Sequence, residues 1–268
     1  MINIITFGSC MSEAVAAQLF RKFDITKFSY LNHVIHNRSD YFIGTHISRI
    51  NEEPNIEKIS LISDIKFSDD FGSLDLIEAN ASYLRNQKRE TLGVNNVSGR
   101  KGFLDNIRSQ KIDIIIFDNY MDIASKLVIS KSGNSFFALS GAFSSGCFSK
   151  NYDYSEFLDG KASRANWSVI TAHFHNILPD AEFYFIVYPP VIVGQEDRDS
   201  VVRSGQHSQY WADAELTAPL PYVHILFAEP VQAEFVLNPS DWAHYKPEYY
   251  EKLGAEIILN SGVLKDLL

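Results

Sequence analysis

The chain has 268 residues, of which 46% are hydrophobic and 21% charged, the composition of a folded globular protein with one or at most two domains. Its net charge of −9 excludes an extended basic surface for nucleic acid. No stretch approaches the ~20 apolar residues of a membrane span. The N-terminus has the pattern of a strand and lacks the basic region of a signal peptide. We therefore expect a cytoplasmic protein with both cysteines, Cys10 and Cys147, reduced.

The chain opens with a predicted strand, a sharp turn and a helix. Residues 2–7 form a short apolar run, typical of a buried parallel strand, which ends at Gly8. From Met11 to Phe23 the apolar residues recur at helical spacing. The turn between the two elements is therefore predicted to lie at the N-terminus of a helix.

Further strand and helix patterns alternate along the rest of the chain. Apolar runs predict three more strands, at 112–117, 183–188 and 222–227. Helical spacing covers 103–109, about 154–178 and 246–259, with Pro247 in a first turn. This alternation predicts an α/β fold, a three-layer α/β/α sandwich with a mostly parallel central sheet.

Two regions fit the alternation poorly, 32–91 and 131–153. We expect a single domain over 1–268 in which these regions are inserted loops. They either shape a substrate pocket or lid, or are ordinary surface loops with short hairpins.

The first candidate for chemistry is the turn Gly8-Ser9-Cys10. Ligands of parallel sheets collect at the C-terminal ends of the strands, where this turn is predicted to lie. A nucleophile in the first turn of a helix gains from the free N–H groups and the helix dipole. Alternatively, Ser9 caps the helix and Cys10 packs as a small apolar side chain.

The second candidate is Asp241-Trp242-Ala243-His244, just before the last helix. A carboxylate three residues before a histidine can orient the imidazole, which then accepts a proton from a nucleophile. An aspartate turn with an exposed histidine explains the same residues.

Two other positions predict donors for a developing oxyanion. Gly99 would let a backbone N–H approach the oxygen closely, and the Asn119 amide at a strand end would supply a second donor. A plain turn at Gly99 and a helix cap at 118–119 are the alternatives.

The remaining polar clusters have weaker patterns. His33 and His36 have metal-like spacing without a nearby cysteine or carboxylate in the sequence, which favours core or solvated histidines. Arg198, Arg203 and His207 lie on a polar, helical stretch that either meets an anionic ligand or forms a solvated helix face.

The order of these features resembles the four blocks of the SGNH (GDSL-like) hydrolase and acyltransferase superfamily. The blocks are Phe7-Gly8-Ser9-Cys10, Val97-Ser98-Gly99, Asn119 and Asp241-x-x-His244. The opening is similar to bacterial relatives with a Gly-Ser-Cys or Gly-Asn-Cys start, several of them associated with capsule and other polysaccharide biosynthesis. The resemblance implies a flavodoxin-like sheet topology.

The resemblance also assigns roles, with departures. It makes Gly99 and Asn119 oxyanion donors, His244 the general base and Asp241 its partner. Laid on the family's Phe-Gly-Asp-Ser, Cys10 occupies the position of the catalytic serine. That leaves a cysteine nucleophile, a shifted Ser9 nucleophile, or a site that binds without turnover. The family's Gly-x-Asn-Asp is also replaced by Asp118-Asn119-Tyr120.

The resulting expectation is acyl transfer, most plausibly of acetyl, to or from a saccharide hydroxyl through an acyl-enzyme. No permanently bound cofactor and no metal are expected, and acetyl-CoA or another acyl-CoA is the candidate donor. The expected partners are a saccharide, or a saccharide precursor, and the acyl donor. The rivals are a carbohydrate or small-ester esterase, and a non-catalytic protein that binds acyl-CoA or saccharide.

Overall fold

The computed structural model describes residues 1–53, 76–93, 101–131, 136–140, 152–238 and 243–265. The strands in these ranges are β1 (Ile2–Phe7), β2 (Phe28–Val34), β3 (Ile114–Asp118), β4 (Ser125–Ser130), β5 (Phe136–Ser140), β6 (Tyr152–Tyr154), β7 (Glu182–Val187) and β8 (Val223–Phe227). The helices are α1 (Cys10–Lys22), α2 (Ser39–Phe42), α3 (Leu76–Arg85), α4 (Phe103–Ser109), α5 (Tyr120–Ala124), α6 (Gly160–Ile177), α7 (Asp199–Thr217), α8 (Pro247–Asn260) and α9 (Gly262–Lys265). A π-helical turn, Ile43–Ile47, continues α2.

Five strands form a parallel central sheet in the order β2-β1-β3-β7-β8. Along the chain these are the second, first, third, fourth and fifth strands of that sheet, which is the flavodoxin-like order. The predicted α/β class and mostly parallel sheet are confirmed. A separate antiparallel sheet, β5-β4-β6, lies in and around the segment 131–153.

Helices cover both faces of the central sheet. Helices α1 and α8 pack on one face, over the cluster that includes Ile4, Ile114 and Ile186. Helices α4 and α6 pack on the other face, over Ile115 and neighbouring aromatic residues. The middle strands are therefore buried on both sides, which explains their continuous apolar sequences. None of the described helices is long and apolar enough to cross a membrane.

An aromatic cluster fixes the C-terminal ends of β1 and β3 beside each other. Phe7 and Phe117 are paired in register and their ring centroids lie 6.2 Å apart. The indole of Trp167, from α6, lies 5.2 Å from the Phe7 ring and 5.5 Å from the Phe117 ring. All three side chains are buried, so the residues that follow these strands start from a rigid base.

Some elements of the structure were not predicted from the sequence, among them β2, α3, α5 and β4, and one predicted helix begins at a different residue. Strand β2 was not predicted, because its buried face includes the polar Asn32, which breaks the apolar pattern. The Asn32 amide donates to the Gly93 carbonyl at 3.0 Å and accepts from the Asn106 amide, so the polar group is satisfied in the core. Helix α6 begins at Gly160 rather than near 154. Residue 154 is the last residue of β6, and the Asp159 carboxylate caps the helix.

His33 and His36 are core residues, one of the two alternatives for them. The His33 Nδ1 lies 2.6 Å from the Thr6 hydroxyl, and its Nε2 lies 3.6 Å from the partly exposed Glu13 carboxylate. Burial, together with the charge of His36, lowers the pKa of His33 to about 3. Burial lowers the pKa of His46 to about 3 as well.

We expect His33 to make folding stability depend on pH. Because the folded chain holds its imidazole neutral, the stabilisation is complete above the ordinary pKa of 6.5 and is lost as pH falls from there towards about 3. The slope contributed is at most about 1.4 kcal/mol per pH unit. Urea unfolding of the wild type and His33→Gln at several pH values measures it, and the variant should show a shallower slope.

The matched variant is His46→Gln, which replaces a second buried imidazole with a similarly lowered pKa. It should flatten the pH dependence by a comparable amount. A His33→Gln protein that keeps the wild-type slope would show that His33 titrates alike in the folded and unfolded chain.

Candidate functional site

The predicted nucleophile turn and the predicted Asn donor meet at one edge of the sheet. Strands β1 and β3 are parallel neighbours, so Gly8-Ser9-Cys10 and Asp118-Asn119 leave the sheet side by side. Strand β2 lies on the other side of β1, so the order in which successive strands are added to the parallel sheet reverses between β1 and β3. Open α/β sheets bind ligands at such a switch point.

The carboxylate of Asp118 organises the turn after β1. Its Oδ2 accepts the Ser9 N–H at 2.7 Å, the Ser9 hydroxyl at 3.0 Å and the Ser12 N–H at 3.1 Å. Its Oδ1 accepts the Tyr120 N–H at 3.0 Å. Burial raises the pKa of Asp118, and the hydrogen bonds from Ser9, Tyr120 and Ser12 oppose that rise. One side chain from β3 therefore ties the start of α1 to the sheet.

Gly8 is required by this contact. A Cβ on residue 8 would lie 2.3 Å from the Asp118 Oδ2, which is closer than Cβ atoms come to other atoms in real proteins. The Gly8 N–H also donates to the Val34 carbonyl at 2.9 Å, which holds the backbone against β2. The absence of a side chain at Gly8 therefore allows the Asp118 carboxylate to approach the backbone closely.

Ser9 caps α1, as one of its two sequence interpretations has it. Its hydroxyl accepts the Met11 N–H at 3.1 Å while donating to Asp118, and the residue is 8% exposed. Cys10 is the first residue of α1, and its thiol is free and partly exposed. Among the described residues no acceptor bonds the Cys10 N–H, whereas the N–H groups of Ser9, Met11 and Ser12 are all bonded.

The Asn119 side chain is fixed in one orientation. Its Oδ1 accepts the Tyr188 N–H at 2.8 Å, and because a backbone N–H can only donate, the amide oxygen must face it. The Nδ2 group is buried and bonds to none of the described residues. Asn119 does not cap α5 through its side chain. A buried donor without an acceptor costs stability.

Tyr188 also connects this edge to the segment that carries His244. Its hydroxyl donates to the Ala243 carbonyl at 3.0 Å, and the Tyr245 hydroxyl donates to it at 3.2 Å. The backbone next to His244 is therefore held near the residue that orients Asn119. Asp241 and Gly99 lie outside the described residues, so their predicted roles stay predictions.

The sequence interpretation missed the roles of Asp118 and Tyr188 in organising the site. Asp118 was considered only as a cap, although a carboxylate directly after a predicted buried strand is the available signal. Among the described residues, no group of three His, Cys, Asp or Glu side chains is arranged to hold a metal.

The link between Gly8 and Asp118 predicts a coupled effect on stability. Gly8→Ala should destabilise the protein by about 1–3 kcal/mol, because the new methyl group displaces a fully bonded carboxylate. In an Asp118→Ala background the same methyl group has room, and most of the penalty should vanish. Urea unfolding of the two single variants and the double variant measures this coupling. Additive effects would contradict the steric explanation.

No known protein-family model matches the chain, and no curated protein matches it. Solved structures with similar folds include a family two carbohydrate esterase from Cellvibrio japonicus (TM-score 0.45, 10% identity, 100% of this chain and 62% of that one). A second is a family two carbohydrate esterase from Clostridium thermocellum in complex with cellohexaose (0.44, 13%, 97% and 65%). A third is an acetyl xylan esterase from the rumen bacterium Butyrivibrio proteoclasticus (0.40, 6%, 97% and 64%). The chain thus spans less than two thirds of the length of each of these proteins. Because the TM-scores are below 0.5, we base the proposed function on the side chains of the site.

Proposed function

We propose that this protein transfers acyl groups, most plausibly acetyl, to or from a saccharide hydroxyl through a thioester on Cys10. The observation that carries the proposal is the Asn119 Nδ2 group, a buried donor at the sheet edge with no partner among the described residues. Its partner in the proposal is the substrate carbonyl oxygen, which becomes an oxyanion during acyl transfer. The amide is oriented in advance by the Tyr188 N–H, so little reorganisation is needed.

A second donor lies next to the proposed nucleophile. The Cys10 N–H is the group in the first turn of α1 that the Ser9 hydroxyl and the Asp118 carboxylate leave open. It lies at the positive end of a 13-residue helix, which favours an oxyanion. Two donors from adjacent strand ends, β1 and β3, would then bind the same oxygen.

The contacts favour Cys10 over Ser9 as the nucleophile. The Ser9 hydroxyl is nearly buried and is engaged both as a donor to Asp118 and as an acceptor from Met11. To attack a carbonyl it would have to break the helix cap and release a buried carboxylate. The Cys10 thiol is partly exposed and has no such commitment.

The proposed reaction has two steps. In the first, His244 accepts the Cys10 proton, Sγ bonds to the acyl carbon, and the carbonyl electron pair moves to the oxygen held by Asn119. The oxyanion collapses, the bond to the leaving oxygen or sulfur breaks, and that atom takes the proton from His244. In the second, water or a saccharide hydroxyl gives its proton to His244 and attacks the thioester, which releases the Cys10 thiol. Asp241 is the proposed partner of His244.

The two acceptors define the two forms of the proposal. With water the protein is a carbohydrate esterase, and with a hydroxyl it is an O-acyltransferase of saccharide biosynthesis, for which acetyl-CoA would be the donor. Acetate release and saccharide acetylation are measured from acetyl-CoA and from an acetylated saccharide, each with and without acceptor. Turnover that is independent of the acceptor selects the esterase.

The choice of nucleophile is tested by intact mass after exposure to para-nitrophenyl acetate. We expect one acetyl group on the wild type and none on Cys10→Ala. Ser9→Ala is the matched control: it should lose about 1 kcal/mol of stability with its cap but still become acetylated. Acetylation of Cys10→Ala at Ser9 would transfer the role to Ser9, and an unmodified wild type would favour the binding rival.

The oxyanion role is tested by Asn119→Asp. This variant keeps an oxygen to accept the Tyr188 N–H but loses the N–H that faces the substrate. We expect kcat to fall about 10²- to 10³-fold with a much smaller change in KM. Asn260→Asp, on the exposed end of α8, is the control and should leave both constants unchanged. A wild-type kcat in Asn119→Asp would remove this residue from the proposed reaction.

A further inference from the structure

Two cationic side chains are held against one aromatic ring near the candidate site. The guanidinium carbon of Arg203, on α7, lies 3.8 Å from the ring centroid of Phe157. The ammonium group of Lys126, on β4, lies 4.8 Å from the same centroid. Each cation–ring contact is favourable, but together they bring two positive charges close to each other. We call these three residues the cationic clamp.

The cationic clamp lies at the C-terminal end of the central sheet, as the candidate site does. The Arg203 Nε donates to the Ile123 carbonyl at 3.0 Å, and Ile123 is four residues, or ~6 Å of helix, beyond Asn119. The next residue of α7, Ser204, donates to the Pro189 carbonyl, which follows the Tyr188 that orients Asn119. The clamp and the proposed oxyanion donor are therefore connected to the same two segments, 119–123 and 188–189.

The charge of the cationic clamp is not neutralised by a direct ion pair. No carboxylate of the described residues lies within 4.0 Å of Lys126 or Arg203. The Lys126 ammonium and both Nη groups of Arg203 make no hydrogen bond to those residues. The two positive charges are therefore available to an anionic ligand, although the net charge of the chain is −9.

Among the described residues, no acidic side chain on the elements around the cationic clamp forms an ion pair with it. Burial lowers the pKa of Arg203, and the charge of Asp199, one turn earlier on α7, partly offsets this. The Asp159 carboxylate caps α6, and Asp122 accepts hydrogen bonds from Ser39, Ser163 and Trp167. Glu156 is exposed.

His207, also on α7, does not face solvent. It is buried, and its Nε2 lies 2.8 Å from the Leu158 carbonyl. The polar stretch around Arg203 is therefore packed against the segment that carries Phe157, and the expectation of a solvated helix face fails for His207.

We propose that the cationic clamp is an anion subsite, which binds a carboxylate or phosphate substituent carried by the saccharide or the acyl donor. Two Nη donors in the plane of a guanidinium match the two oxygens of either group, and Lys126 adds a second charge. The Phe157 ring holds both cations in place. The substrate class of the proposed acyl transfer would then be anionic. This biological role of the subsite rests on the proposed function. Binding itself does not depend on Cys10.

The test measures equilibrium binding by calorimetry with three probes: glucuronate, a glucose phosphate ester and glucose. We expect at least one anionic probe to bind about tenfold more tightly than glucose, the range of a charge-assisted hydrogen bond in a partly buried site. The stronger of the two anionic probes identifies carboxylate or phosphate as the natural group. The same preference should appear in Cys10→Ala, which separates failure of the subsite from failure of the acyl transfer.

Two variants assign the preference to the cationic clamp. Lys126→Met keeps an apolar stem against Phe157 and removes a charge that makes no described hydrogen bond, so the fold should be unaffected. Arg203→Met should remove most of the preference, and Lys126→Met a part of it that Lys126→Arg restores. Lys22→Met, at the far end of α1, is the control for net charge. Equal binding of all three probes by the wild type, or an unchanged preference in both Met variants, overturns the proposal.

Discussion

The candidate site depends on one buried carboxylate. Asp118 is the last residue of β3, yet its hydrogen bonds go mainly to the turn after β1 and to the first turn of α1. An ionised carboxylate in the core is costly unless several donors compensate it, and here two backbone N–H groups of the turn and one hydroxyl do so on a single oxygen. The same bonds leave one N–H of that turn open, at Cys10. The hydrogen bonds that stabilise the Asp118 carboxylate therefore also leave the Cys10 N–H as the available donor.

The other side of the site depends on the residues that follow β7. The backbone of Tyr188 holds the Asn119 amide, and its hydroxyl holds the carbonyl of Ala243. Tyr188 is buried among other tyrosines, and burial together with these neighbours raises its pKa well above the ordinary value, so the hydroxyl stays a donor. Strand ends that are far apart in sequence are thus connected by short, directional bonds.

The sequence was sufficient to predict those elements whose side chains are uniformly apolar. Strands β3 and β7 are buried on both faces, so their apolar composition alone identifies them as strands. The helical periodicity of the apolar residues in α8 identifies the face that packs on the sheet. Strand β2 was missed because Asn32 and His33 are buried through specific partners rather than by hydrophobicity.

The candidate site was predictable only as far as local patterns reach. Position at a strand end placed Ser9, Cys10 and Asn119 on the same edge. To predict the roles of their neighbours, one would need to know which donor faces which acceptor across the sheet. Such long-range pairs are not visible in the spacing of residues along the sequence. The contact between Asp118 and Ser9 is of this kind, since each residue also has an adequate local explanation as a cap.

The separation of Ser9 and Asp118 by 109 residues also has a consequence for folding. Contacts between distant segments form after local ones, because a long loop must close before they stabilise anything. The turn around Cys10 therefore acquires its geometry only once β1 and β3 are paired. In a chain still being synthesised, the hydrogen bonds to Asp118 that shape this turn are therefore absent until the third strand of the sheet has been made.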